Sequence, residues 1–300
     1  LKTGIFNIAN VFDRDTVLHL RLPFSFFLLP VFCFGISQVS NIHAINAWTV
    51  FIALHLFIYP GSNVYNSYMD RDTGSIGGLK NPPPVTRKLY QASILIDTAG
   101  LLLCALVDWR IAALLAGYVA FSKAYSWHGI RFKKFAWLGW LMVLFFQGGY
   151  TYLMANMSAE NNFTLSWFTD KNLLGMLIAC LFIGGYYPLT QIYQHEEDAE
   201  RGDFTVSYRL GVRGTFIFTG LLFIAAAVVC YVYFTGFYTL RQFLLFIAGL
   251  IPLIVYFLYW AIRSFRDPAF ADYDHAMKMT FISSLCMILV FCLIGYINLF

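Results

Sequence analysis

Charge is what this 300-residue chain has least of: 12% of its residues are Asp, Glu, Lys or Arg, against about 25% in soluble domains. Together with 59% hydrophobic and 19% aromatic residues, that scarcity excludes a soluble domain and leaves an integral membrane protein. Its apolar runs of roughly 20 residues imply helices, because a helix satisfies its own backbone groups in lipid. No C-x-x-C pair occurs among the six cysteines, and Cys33, Cys104, Cys180, Cys230, Cys286 and Cys292 all lie in apolar runs. They are expected to fill the core rather than to form disulfides or bind metal. A cleavable leader is not expected either, because the first apolar run is too long and lacks a small-residue cleavage site. The net charge of +4 is modest, and no nucleic-acid partner is expected.

Apolar windows between polar breaks predict an all-α polytopic membrane protein with nine transmembrane helices, at about 22–40, 46–66, 91–107, 111–127, 135–155, 172–194, 214–234, 242–262 and 277–298. The third and fourth meet at Asp108-Trp109-Arg110, a tight hairpin. Basic residues are as unevenly spread as charge is scarce. Of the 20 Lys and Arg, only Arg110, Lys171 and Arg241 fall on one side of the membrane; the rest lie in the N-terminal segment and in the loops after the second, fourth, sixth and eighth spans. Positive charge marks the cytoplasmic side. The N-terminus is therefore expected in the cytoplasm and the C-terminus outside, in the cytoplasmic (inner) membrane. A single domain over residues 1–300 is expected, as four-helix repeats at about 22–127 and 135–234 followed by helices at 242–298.

Two polar mouths interrupt this pattern on the cytoplasmic side. At the end of the second span, Asn63, Asn66 and Asp70 fall at i, i+3 and i+7, on one helical face. At the end of the sixth, Gln191, His195 and Asp198 fall at i, i+4 and i+7. Asp72 and Asp203 lie just beyond in the loops. Oxygen-rich clusters of this kind suit Mg²⁺, which takes few carboxylates and completes its shell with water and phosphate. Arg71, Lys80, Arg131, Lys133, Arg201 and Arg209 in the same loops can balance a diphosphate. Gln147, beside Gly148-Gly149, is placed to point an amide inward from the fifth span. Pro188 and Gly184-Gly185 are expected to kink the sixth helix before its polar end. The stretch from Gly74 to Pro84 reads as an ordered loop over the first mouth. Tyr65, Tyr68, Tyr125, Tyr150, Tyr186, Tyr187 and Tyr193 lie on spans where an aromatic face can meet a cation. A cation-coupled transporter is the rival reading, although Asp70, Asp72, Asp198 and Asp203 all lie at one interface. A phosphotransferase using a nucleotide-alcohol donor ranks low, because no D-G-x-x-A-R run leads to a D-x-x-x-D pair.

Taken in order, Asn66-x-x-x-Asp70, Tyr125-Ser126 with Arg131-x-Lys133, and His195-x-x-Asp198 with Gly202-Asp203 resemble the UbiA superfamily of intramembrane prenyltransferases, over nearly the whole chain. The segment from Thr205 to Gly211 also looks like that family's stretch after its second aspartate motif. The resemblance implies nine helices around a central cavity and Mg²⁺-dependent transfer of a polyprenyl group from its diphosphate. The acceptor is usually aromatic, such as a quinone precursor, and in some relatives a sugar phosphate. It further implies that Asn66, Asp70 and Asp198 hold magnesium, with Asp203 as a further ligand, and that Lys80, Arg131 and Lys133 grip phosphate. The sequence departs from the family pattern at Ser67 and Gly74, which occupy acidic positions of the first motif, where Asp72 is a substitute. In the second motif, His195 stands where Asn or Asp is common, and Asp203 sits one residue late.

Overall fold

The computed structural model describes residues 11–71 and 73–299. In chain order its helices are α1 (Arg14–Leu20), α2 (Leu29–Ser37), α3 (Ala44–Asp70), α4 (Arg87–Val107), α5 (Trp109–Ser126), α6 (Ala136–Glu160), α7 (Asp170–Leu189), α8 (His195–Arg201), α9 (Val206–Phe237), α10 (Leu240–Gly249), α11 (Ile251–Arg266) and α12 (Tyr273–Leu299). No strand forms among the described residues, only isolated bridges, one of which joins Phe135 to Phe204. Among those residues six helices, α3, α4, α6, α7, α9 and α12, are long and apolar enough to cross a membrane, or up to eight spans if each of two bent pairs counts as one. The bends are 41° before α2 and 45° between α10 and α11. In both, a proline without an N–H, Pro30 or Pro252, opens the second helix. The window expected at 111–127 forms α5, whose Arg110 and Lys123 leave it short of a spanning composition.

Local chemistry sets the helix boundaries. Asp108 caps α5 by accepting the Arg110 N–H at 2.8 Å and pairs with the Arg110 guanidinium, closing the hairpin from α4. Thr205 caps α9 by accepting the Tyr208 N–H at 3.2 Å. Within α9 the backbone leaves helical geometry at Gly211, whose φ of 66° suits glycine alone. One π-helical turn, Ala53–Ile58, lies in α3 and another, Leu144–Tyr150, in α6.

The helices form a ring. α3 packs on α4 and α4 on α5, α6 on α7 and α7 on α9, while α12 joins α10 and α11 to α2, and α2 closes the circle on α6. Glycines permit the closest approach: a Cβ on Gly148 would sit 2.7 Å from the Ala179 carbonyl oxygen, so only glycine lets α6 lie directly on α7 here. The outer surface is apolar. On α9, Ile217, Leu221, Ile224 and Val228 recur at steps of three and four and are all exposed, a stripe that belongs in lipid rather than water.

One expected element is corrected. The sixth span does not run to residue 194; α7 stops at Leu189 and a turn precedes α8. Pro188 lies one residue before that end, where Thr190 bonds its hydroxyl back to the Tyr187 carbonyl at 2.7 Å. Gln191, His195 and Asp198 therefore do not share one helical face.

Candidate active site

At the end of the ring where α3, α5 and α7 finish, a cavity of about 210 Å³ opens. Both mouths contribute to it: Asn63, Asn66 and Asp70 from α3, Asp198 and Arg201 from α8, and Asp203 from the following loop. Tyr125 and Ser126 of α5 and Gln147 of the π turn in α6 complete one wall. π turns interrupt helices most often at functional positions.

The acidic groups are already organised. The Asn66 amide donates to Asp70 Oδ2 at 2.8 Å and to the Ser126 hydroxyl at 2.8 Å, so the helical spacing of four residues turns into a fixed carboxylate. Lys133 Nζ lies 2.5 Å from Asp70 Oδ1 and 3.1 Å from Asp203 Oδ2, bridging the two mouths. Arg131 grips the same Asp203 with two guanidinium nitrogens, at 3.1 and 2.9 Å. The left-handed backbone at Arg131 (φ 49°), the single 3₁₀ turn Phe132–Lys134 and the Phe135–Phe204 bridge hold this basic loop against Asp203. Burial alone would raise the Asp203 carboxyl, but the Lys133 ammonium and the Arg131 guanidinium outweigh it and hold it below the ordinary value.

A strap covers the mouth. The Thr73 and Gly74 N–H groups both donate to Glu197 Oε1 at 3.0 Å, and Glu197 also pairs with Arg201. Gln194 donates to the Ser75 carbonyl at 3.0 Å, and Arg21 to the carbonyls of Gly77 at 3.0 Å and Asn63 at 3.2 Å. Ile76 and Gly77 of this strap face the cavity.

Of the expected residues, Arg71, Lys80, Arg131, His195 and Arg209 do not line the cavity. Lys80 is 56% exposed and pairs with Asp274 at 2.7 Å on the outer side of the strap, so it does not reach a phosphate held inside. His195 turns away once α7 ends: its Nε2 meets the Ser207 hydroxyl at 2.8 Å, its ring packs on Tyr208, and burial holds the imidazole below its ordinary value. Asp72 lies outside the described residues. Of the tyrosines considered, Tyr125 and Tyr187 line the cavity. Tyr65 instead lies under Lys123 at 4.1 Å, Tyr68 packs on Tyr90, and the Tyr150 hydroxyl bonds the Leu114 carbonyl. Arg21 and Gln194 line the cavity without having been singled out. Arg21 stands immediately before the first uncharged run, and that position was its one signal.

The donors fit a magnesium ion. Asp70, Asp198 and the Asn66 amide oxygen are hard ligands at one cavity, although no group of three or more His, Cys, Asp or Glu stands ready to hold a metal among the described residues. That is the ligand set of an ion which completes its shell with water and phosphate oxygens.

Apolar helices closed around a cavity in which carboxylates face cations define a polytopic membrane protein. The chain belongs to the UbiA prenyltransferase family, whose model matches residues 26–285, and is a prenyltransferase. Its fold is similar to that of a UbiA homolog from Archaeoglobus fulgidus bound to DMAPP and Mg²⁺, at a TM-score of 0.66 and 17% identity over 95% of this chain and 99% of that one. The same homolog bound to GPP and Mg²⁺ gives a TM-score of 0.64 at 16% identity, with the same coverage. A digeranylgeranylglyceryl phosphate synthase gives 0.59 at 16% identity, over 95% of this chain and 98% of that one. No curated protein sequence matches the chain.

Proposed function

We propose that this protein transfers a polyprenyl group from its diphosphate to an aromatic acceptor within the membrane, with Mg²⁺ as cofactor. One observation carries the reading: Asp70 and Asp198, from two segments far apart in sequence, line one cavity with Lys133 and Arg201. The A. fulgidus homolog's binding of DMAPP, GPP and Mg²⁺ supports it. Asn66, Asp70 and Asp198 would hold the magnesium, which when bound supplies positive charge against the diphosphate.

The chain's own groups do the rest. The allylic C–O bond breaks with its electron pair going to the diphosphate, and Lys133 and Arg201 stabilise the charge that grows there. Arg131 does not line the cavity; it acts by anchoring Asp203, which keeps Lys133 in place. Phe121, Tyr118, Tyr125 and Tyr187 give the reacting carbon ring faces in place of water. The acceptor's nucleophilic atom then supplies the electron pair of the new bond, and the acceptor loses one proton. The basic loops argue for nine crossings of the cytoplasmic membrane, with the N-terminus and the cavity on the cytoplasmic side. The test is diphosphate release from a prenyl diphosphate by the purified protein in liposomes. Release that requires Mg²⁺ and is lost in Asp198→Ala is expected; release indifferent to both would refute the reading.

A further inference from the structure

The polar mouth accounts for the diphosphate; a second set of polar atoms lies along the same cavity and has no charged partner among the described residues. Gln191, just past the end of α7, lines the cavity and is only 9% exposed. Its Nε2 donates to the Tyr187 hydroxyl at 3.0 Å, and that hydroxyl meets the one of Tyr125, reaching over from α5. This bond fixes the carboxamide and leaves Oε1 over. Oε1 is buried, and no donor reaches it among the described residues. A buried acceptor without a donor costs stability until a donor arrives. Gln147, on the π turn of α6, brings a second neutral amide to the same cavity, and Phe121 beside them, stacked on Phe146 with centroids 3.8 Å apart, gives a rigid aromatic wall.

We propose that the Gln191 carboxamide oxygen is a specificity-determining contact for the acceptor and receives a hydrogen bond from a neutral hydroxyl on an aromatic ring. The inference rests on the prenyl-transfer reading and narrows it. A carboxylate has no proton to give this oxygen, and a hydrocarbon leaves it unsatisfied, so both bind less well than a phenol. Gln147 supplies the second amide, and the Tyr125–Tyr187 pair holds Gln191 in place.

The test uses two probes matched in shape, 1-naphthol and 1-methylnaphthalene. They are titrated into the purified full-length protein in detergent with Mg²⁺ and a geranyl thiolodiphosphate, a slowly reacting donor. In the wild type the naphthol is expected to bind at least roughly tenfold more tightly, as a site built for a hydroxyl discriminates against its absence. Gln191→Leu is expected to erase that preference, and Gln191→Glu, which keeps an acceptor oxygen, to retain it. Equal affinity for the two probes in the wild type overturns the proposal, and so does an undiminished preference in Gln191→Leu. The wild-type comparison decides the matter even if the variants do not fold. Failure of the thiolodiphosphate itself to bind the wild type would overturn the prenyl-transfer reading and this inference with it, and is read separately from the naphthol titration.

Discussion

Replacing Lys133 with Met should move the two expected ligands of the cavity in opposite directions. Lys133 Nζ stands 2.5 Å from Asp70 and 3.1 Å from Asp203, with 11% of its side chain exposed. At an effective dielectric of about 20, each contact is worth roughly 5–7 kcal/mol before desolvation. Desolvation cancels much of that, and removing one partner of a buried pair typically costs about 3–5 kcal/mol, because the other charge is left alone. A divalent ion relieves that cost at Asp70, where the ammonium no longer competes for Oδ1. Relief of only about 1.4 kcal/mol tightens the metal roughly tenfold. The donor moves the other way, since a cation facing the diphosphate is gone; kcat/KM for the prenyl diphosphate should fall roughly 100-fold. Mn²⁺ titrations followed by electron paramagnetic resonance measure the first effect, and steady-state kinetics with donor and acceptor varied in turn measure the second. If metal and donor weaken together, or donor and acceptor suffer equally, Lys133 is a structural post and the reasoning fails.

Asp70→Ala is expected to leave the protein folded and to remove Mg²⁺-dependent diphosphate release; near-normal turnover would count against metal binding at α3. Gly61→Ala places a Cβ 2.2 Å from Asp97 Oδ1, beside the Asp97–Lys123 ion pair, and should cost about 1–3 kcal/mol by overpacking; an unchanged Tm would show that Asp97 can move aside. Because burial depresses the His195 imidazole below its ordinary 6.5, the fold resists its protonation. Stability should be unaffected above that pH and decline as pH falls below it toward the folded value. His195→Asn should flatten this part of the Tm–pH curve, and a curve identical to wild type would rule out His195 as its source. Glu197→Ala should free the strap from α8, seen as faster limited proteolysis between residues 73 and 80; unaltered cleavage would mean that Gln194 and Arg21 hold the strap without it.

How much of this was legible depended on how local the cause was. Asn66 and Asp70 are four residues apart on one helix, so their meeting followed from periodicity, and the Asn66–Asp70 bond realises it. The Asp108–Arg110 hairpin was equally local. The end of α7 was not legible in the same way. A proline near a helix end does not say by itself where the helix stops, and here the stop is accompanied by Thr190 bonding back to Tyr187. That stop removed His195 from the site. The clasp of Lys133 and Arg131 on Asp203 joins segments some seventy residues apart through the Phe135–Phe204 bridge, and no spacing in the sequence encodes it. Lys80 failed for a related reason: charge places it on the correct side of the membrane, but only the path of the strap decides whether it points in or out. In a chain with 19 tyrosines, periodicity alone did not separate the rings at the cavity from those packed elsewhere.

The stop after Leu189 also bears on how this molecule can change over time. Asp198 rides on the short helix His195–Arg201, not on the long rod that packs along α9. The turn between them separates the segment that carries Asp198 from the rod seated against its neighbours. The reactive end and the greasy barrel are thus free to drift independently, so substitutions that retune the chemistry need not loosen the wall that lipid presses on.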